Sequence, residues 1–292
     1  MTNAEGVTTV VFTPISIEDA VKIKAETEDS TYIAGGTLLQ LQREQGIPLS
    51  AHLISLEKIH DIHTIEERDT HIFIGAGMTL SQCIASSIAQ DDLPLFVEAL
   101  QTIAAPAVRN RATIGGNMAY AMGDMHVVFL SMNAQVVTFD VNSGYQEHSY
   151  ETWIEDGPSA GLIIGVTIPK GKQEHSFYKK VGYRQSFTLS ALTVAFNLTL
   201  TKAGTVEEVI VAVSGAMLPP RRLKQSEETL QGQRVSQEVV RQMDKQVNEE
   251  FSTFLLKHDE FPYQQRVAAN VITAHLTSIE EENRYDKTTY KA

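Results

Sequence analysis

Two adjacent glycine pairs, Gly35-Gly36 and Gly115-Gly116, are the residues of this chain best suited to hold an anionic ligand. Without a Cβ, glycine lets the backbone turn sharply and approach a bound group, and consecutive N–H groups can then form a nest around a pyrophosphate. Each pair follows a short β-prone stretch. Each also precedes a small polar residue, Thr37 or Asn117, whose side chain can hydrogen-bond a phosphate or ribose. Two nests could grip one dinucleotide. Their number alone says nothing, because the 18 glycines among 292 residues give about one adjacent pair by chance. An ordinary tight turn is therefore the competing reading, and the neighbours carry the argument. Ahead of the second pair, Arg109-Asn110-Arg111 supplies either positive charge to a ligand or solvation to a loop, and residue type favours neither.

Other motifs are weaker. Gly75-Ala76-Gly77 begins like a dinucleotide fingerprint, but Met78-Thr79-Leu80 follows where a third glycine is needed, so a structural turn is favoured. No Gly-Lys-Ser or Gly-Lys-Thr forms a triphosphate-binding loop, and no Gly-x-Ser-x-Gly marks a hydrolase nucleophile. His60 and His63 flank Asp61 without a second ligand pair and read as surface histidines. Cys83, inside an amphipathic run, reads as a packing residue. No catalytic or metal-ligating residue is assigned.

The elements that would position the glycines follow from hydrophobic period. Thr31 to Ala34 reads as a strand stopping at the first pair, and Thr37 to Gln45 as a helix ended by Gly46. Further strands are expected at His52 to Leu56, His71 to Ala76, Ala134 to Asp140 and Leu162 to Ile168. Leu95, Phe96, Ala99, Leu100 and Ile103 share a helical face, and Pro106 is expected to close that helix. Beyond a Gly, Pro and Lys-rich stretch, strands are expected around Phe177, at Leu189 to Leu200 and at Val206 to Val213. Helices carrying Val239 to Phe254 and Val267 to Leu276 follow, and then a polar, charged tail from Ser278. This places a boundary near residue 172, giving domains 1–172 and 173–292. The order of elements suggests α+β rather than a doubly wound sheet.

Composition narrows the partners. A formal net charge of -12 with only 24 Lys plus Arg argues against nucleic acid or an anionic membrane surface. No apolar run is long enough for a membrane span, and no secretory leader pattern opens the chain, so the cytoplasm is the expected compartment. The single cysteine excludes an internal disulfide and any iron–sulfur cluster ligated by cysteines of this chain, which needs about four.

The stretch from Glu98 to Asn117, EALQTIAAPAVRNRATIGGN, resembles the flavin-binding segment of the FAD subunit of molybdenum hydroxylases, the xanthine dehydrogenase and carbon monoxide dehydrogenase flavoprotein family. Ile33-Ala34-Gly35-Gly36-Thr37-Leu38-Leu39 resembles that family's first FAD motif, at matching spacing. Lys180-Val181-Gly182-Tyr183-Arg184 and Val213 to Arg222 are further likenesses. The resemblance implies a vanillyl-alcohol-oxidase-like (PCMH-type) FAD-binding fold of two α/β subdomains, followed by a C-terminal α+β domain of antiparallel sheet plus helices near the isoalloxazine.

By the same resemblance, Ile33, Ala34, Gly35, Gly36, Thr37 and Leu38, with Thr113, Gly115, Gly116 and Asn117, hold the pyrophosphate and ribityl portions of FAD. The side chain of Ile103 lies against the flavin ring, Leu162 offers a backbone contact, Lys180 lies near the ring's polar edge, and Asp124 is the acidic flavin contact. The chain departs from the family pattern in three places: the spacing from Asn117 to Asp124 is shorter, Leu39 stands where many members have an acidic residue, and Gly157 to Leu162 is compressed.

The implied function is electron transfer from [2Fe-2S] clusters of a separate small subunit, itself served by a large molybdopterin subunit, through FAD to NAD+, a quinone or oxygen. The implied assembly is a dimer of heterotrimers. The lone cysteine also argues against the branch whose flavin subunit carries an inserted four-iron cluster. A stand-alone flavin oxidoreductase of the same fold, such as a cell-wall sugar-nucleotide reductase, and a non-catalytic flavin-binding module remain alternatives.

Overall fold

The computed structural model describes residues 9–157, 161–171, 173–182, 190–215, 218–254 and 262–289. The chain forms two compact units: one holds the chain up to Met125 together with Asn133–Lys170, the other holds His126–Met132 and the chain from Gly171 onward.

The first unit begins with β1 (Val10–Phe12), α1 (Ile17–Glu26), β2 (Ser30–Ile33), α2 (Thr37–Glu44) and β3 (His52–Ser55), in a parallel sheet of order β1-β3-β2. Helix α1 starts where Ser16 Oγ accepts the Asp19 N–H at 3.1 Å, and it buries Ile17, Ala20 and Val21 on one face. A second sheet follows, built from β4 (Ile65–Glu67) and β5 (His71–Gly75). After β5 comes a run of short helices: α3 (Leu80–Ala85), α4 (Ser87–Asp92), α5 (Pro94–Thr102), α6 (Pro106–Arg109) and α7 (Ile114–Met118). Three more strands and a helix belong to this unit: β6 (Gln135–Asp140), β7 (Gly144–Ser149), α9 (Tyr150–Glu155) and β8 (Leu162–Pro169). The sheet order is β4-β5-β8-β6-β7, with all pairs antiparallel. Ile17, Val21 and Ile54 from the parallel layer pack with Ile62, Phe73, Leu162 and Ile164 in one core, so the two sheets of this unit are joined by apolar burial.

The second unit is a four-stranded antiparallel sheet of order β12-β11-β10-β9. Its strands are β9 (His175–Gly182), β10 (Ser190–Leu200), β11 (Val206–Gly215) and β12 (Leu218–Arg222). One face, carrying Leu192, Val194, Phe196, Val209, Val211 and Val213, packs on α10 (Lys224–Leu230), α11 (Gln237–Thr253) and α12 (Pro262–Thr289). The helices contribute Met243, Val247, Phe251, Ile272 and Leu276, among others, to this core. On the opposite face lies α8 (His126–Ser131), buried over its whole length, with the Ser131 carbonyl 3.5 Å from the Asn197 side-chain nitrogen of β10. Cover on both sides explains why β10 is buried without a break from Ser190 to Phe196. Pro219 and Pro220 sit on β12, an edge strand, where a missing N–H breaks no ladder.

Three expectations change. Pro106 opens α6 rather than closing the preceding helix, which ends at Thr102; its missing N–H suits a first helical position. No strand precedes the second glycine pair: Thr113 makes an isolated bridge to Thr79, and the glycines lie inside α7. The polar tail from Ser278 continues α12 to Thr289. Tyr183, Arg184 and Leu189 lie outside the described residues.

Candidate cofactor-binding site

Strand β2 delivers its last residue, Ile33, into a bend at Ala34-Gly35, and Gly36 then caps α2 with a left-handed φ of 70°. Glycine adopts that left-handed conformation at no steric cost. Gly35 is required for a different reason: a Cβ there would stand 1.7 Å from the carbonyl oxygen of Arg111. Arg111 in turn donates from Nε to the Gly35 carbonyl at 3.2 Å, so the two motifs the sequence singles out are in direct contact.

The start of α2 has neither a side-chain cap nor an acidic residue in its first turn. Among the described residues, the N–H groups of Gly35, Gly36, Thr37, Leu38 and Leu39 donate to no protein acceptor. These five donors and the positive end of the helix dipole thus stand open at the end of a glycine turn, an arrangement that favours an anion. The departure at Leu39 contributes, since a carboxylate there would occupy or repel what the N–H groups attract.

The second glycine pair is organised in the opposite way. Ile114 N–H donates to the Met78 carbonyl at 3.0 Å, Gly115 to Ala76 at 2.8 Å, Gly116 to Thr113 Oγ1 at 3.1 Å and Asn117 to the Thr113 carbonyl at 3.0 Å. These donors are spent, so this pair forms no open nest; that part of the sequence reading is corrected. The glycines serve by lacking side chains. A Cβ on Gly115 would lie 2.7 Å from the Ala76 Cβ, whereas one on Gly116 would meet only the Thr113 hydroxyl, at 3.1 Å, and Gly116 is exposed.

The partner in this contact is the Gly75-Ala76-Gly77 turn. It is a structural turn, since Cβ atoms at Gly75 and Gly77 would strike the Ile62 carbonyl at 2.3 Å and the His63 ring at 2.6 Å. Its role is to seat Gly115.

Asp124 is half-buried in a compact turn folded around Asn117. Asn117 Oδ1 accepts the Met125 N–H at 3.2 Å, and a Cβ on Gly123 would lie 2.2 Å from the Asn117 carbonyl. The short spacing therefore holds Asp124 beside Asn117 in the chain's path, with Gly123 the residue that makes this possible. Ile103 is the C-terminal cap of α5 and only 7% exposed. Leu162 opens β8 with its side chain in the core of the first unit, leaving the backbone as its available part. Lys180 lies on β9 of the second unit, paired in register with Thr193.

Residue type alone assigns Arg109 and Arg111 neither to a ligand nor to solvent. Here Arg109 donates from Nη1 to the carbonyls of Gln101, Ile103 and Ala104, and Arg111 is bound to Gly35. Both hold protein backbone.

Other candidates resolve as packing. Cys83 is buried on α3, and burial pushes its thiol up to about 12. His60 is exposed, but His63 packs on Gly77 with a buried Nε2, so it is not the surface residue expected. Among the described residues no group of three or more His, Cys, Asp or Glu could hold a metal ion. Nor is any described helix long and apolar enough to cross a membrane.

A helix start with open N–H donors, braced against a glycine helix in a unit of two joined sheets, could hold the pyrophosphate of a dinucleotide such as FAD. Residues 5–171 match the family described as FAD binding domain in molybdopterin dehydrogenase, and residues 176–279 match the carbon monoxide dehydrogenase flavoprotein C-terminal domain. The chain belongs to this family of flavoprotein subunits.

It is 26% identical over 233 residues to the nicotine 6-hydroxylase medium subunit of Paenarthrobacter nicotinovorans, covering 77% of this chain and 81% of that one. The carbon monoxide dehydrogenase medium chain of Hydrogenophaga pseudoflava is also 26% identical, over 239 residues, covering 78% and 81%. The fold is that of the solved Cu,Mo-CO dehydrogenase chain: TM-score 0.83 over 94% of this chain and 98% of that one, at 21% identity.

Proposed function

We propose that this chain is the electron-relay subunit of a molybdenum hydroxylase, holding FAD between a small [2Fe-2S] subunit and a terminal acceptor, with substrate hydroxylation on a large molybdopterin subunit. Bound FAD supplies a redox centre that takes electrons singly and releases them in pairs to NAD+, a quinone or oxygen.

The chain's own residues bind and orient. The N–H groups of Gly36, Thr37 and Leu38 receive the pyrophosphate, with Ile33, Ala34 and Gly35 setting the turn that aims them. Thr113, Gly115, Gly116 and Asn117 form a surface from which no side chain projects at Gly116, and they would hold the ribityl portion. Ile103 would pack on the ring, and Asp124 and the Leu162 backbone would supply polar contacts. Residues 1–172 serve as the FAD-binding PCMH-type domain and 173–292 as the C-terminal domain, the first lending residues 126–132 to the second unit. The complex is a dimer of heterotrimers in the cytoplasm.

The observation that carries this reading is the row of free N–H groups at the start of α2, in a loop whose neighbouring motif is pressed against it through Gly35 and Arg111. The full-length chain should purify yellow with one FAD, bleach with reduced partner subunits, and not bleach directly with a purine, an aldehyde or carbon monoxide. A colourless chain that cannot be reconstituted with FAD overturns the proposal.

A further inference from the structure

Among the described residues, three other than glycine have positive φ: Asp29, Ala104 and Asn133. Aspartate and asparagine tolerate the left-handed region, and Asp29 is further tied down by a long-range bond, its Oδ2 accepting the Ala51 N–H at 2.8 Å. Ala104, at φ 48°, has no such side chain, and its exposed position offers no packing to offset the strain. What holds it is Arg109. Nη1 donates to the Ala104 carbonyl at 2.6 Å and the Ile103 carbonyl at 2.9 Å, with the Gln101 carbonyl at 3.3 Å. Nη1 carries two hydrogens, so the longest contact is a shared one. These carbonyls end α5, where helical acceptors lack partners and a cation is favoured by the helix dipole.

We infer that Arg109 is a positioning residue: by clamping these carbonyls it holds Ala104 in its left-handed turn and so fixes the angle at which Ile103 meets the flavin. This rests on the placement of Ile103 proposed above. The clamp sits on α6, four residues long, and the same segment ends in the Arg111 contact to Gly35. Ile103 and the pyrophosphate loop are thus tied to one short brace. A side chain that orients an apolar wall acts on the bound ring rather than on the chemistry, so its signature is in the flavin's spectrum and potential.

Three full-length variants test this. Arg109→Ala should weaken FAD binding about tenfold, the order expected from releasing one left-handed alanine, and should shift the visible circular dichroism and reduction potential of the remaining flavin. Ala104→Gly in the Arg109→Ala background should restore most of the affinity and spectrum, because glycine adopts the same φ without the clamp. Ala104→Val with Arg109 intact should reproduce the Arg109→Ala defect, because a β-branched residue resists that φ. An Arg109→Ala protein with native affinity, spectrum and potential overturns the inference, and so does a double variant no better than Arg109→Ala. An Arg109→Ala chain that fails to fold leaves Ala104→Val to decide, since native flavin properties in that variant also overturn it. Wild-type protein that takes up no FAD sinks the functional reading itself and is thereby told apart from failure of the clamp.

Discussion

At Gly35-Gly36 the backbone N–H groups stand open and the carbonyl side is braced by Arg111, whereas at Gly115-Gly116 each N–H from Ile114 to Asn117 is already bonded within the protein. The same dipeptide thus does two jobs. In the first, glycine supplies a left-handed turn and donors for an anion; in the second, it supplies bare backbone, one residue for seating on Ala76 and the other for leaving space. A glycine pair in a sequence therefore marks close approach without saying who approaches. At Gly35 and Gly115 it is the protein backbone or a fixed Cβ, whereas at Gly116 a Cβ would meet only the Thr113 hydroxyl, at 3.1 Å.

The sharpest way to break this comparison is Gly35→Ala. The added Cβ meets backbone at 1.7 Å, so the two motifs must separate; about 3 kcal/mol or more of stability should be lost in chemical denaturation, with FAD uptake abolished. Gly116→Val should separate the two effects. Its Cβ has only the Thr113 hydroxyl nearby, so stability should change by less than about 1 kcal/mol while the FAD site empties. Stoichiometric FAD in that variant would show that the second pair is merely a turn. Thr113→Ala removes the α7 cap and should cost about 1 kcal/mol, with a smaller loss of FAD affinity than Gly116→Val. An equal or greater loss of affinity would mean that the cap matters more than the open space.

The smallest effect concerns the support under the second loop, where Thr79, the cap of α3, bridges to Thr113. Cys83 on that helix titrates at about 12 when folded instead of 9.0, so its contribution to stability is present below pH 9 and lost as pH rises toward 12. Cys83→Ala should flatten that part of the alkaline loss in unfolding titrations. Tyr32, also raised to about 12 by burial, leaves a residual slope from pH 10 upward.

The first loop was legible because its signals are local: a β-prone run, a glycine pair and a helical period meet within a few residues. The second was legible only as a long motif. Thr113 and Ile114 are β-branched and look like strand, yet Thr113 Oγ1 captures the Gly116 N–H and starts a helix, a local bond that propensity does not foresee. Arg109 and Arg111 could not be assigned, because their acceptors are carbonyls, which every residue carries. The run His126 to Met132 gave no usable period, since a helix buried all round shows no polar face.

That buried helix has a consequence for how the protein can be divided. The chain leaves the first unit at Met125, gives α8 to the second, returns at Asn133 and leaves again after Lys170. Neither unit is a continuous stretch of the gene. A clone cut at residue 171 would yield a downstream half with one sheet face stripped of its cover and an upstream half with an apolar helix in its middle that has nowhere to dock. The halves should aggregate when made apart and rescue each other when made together.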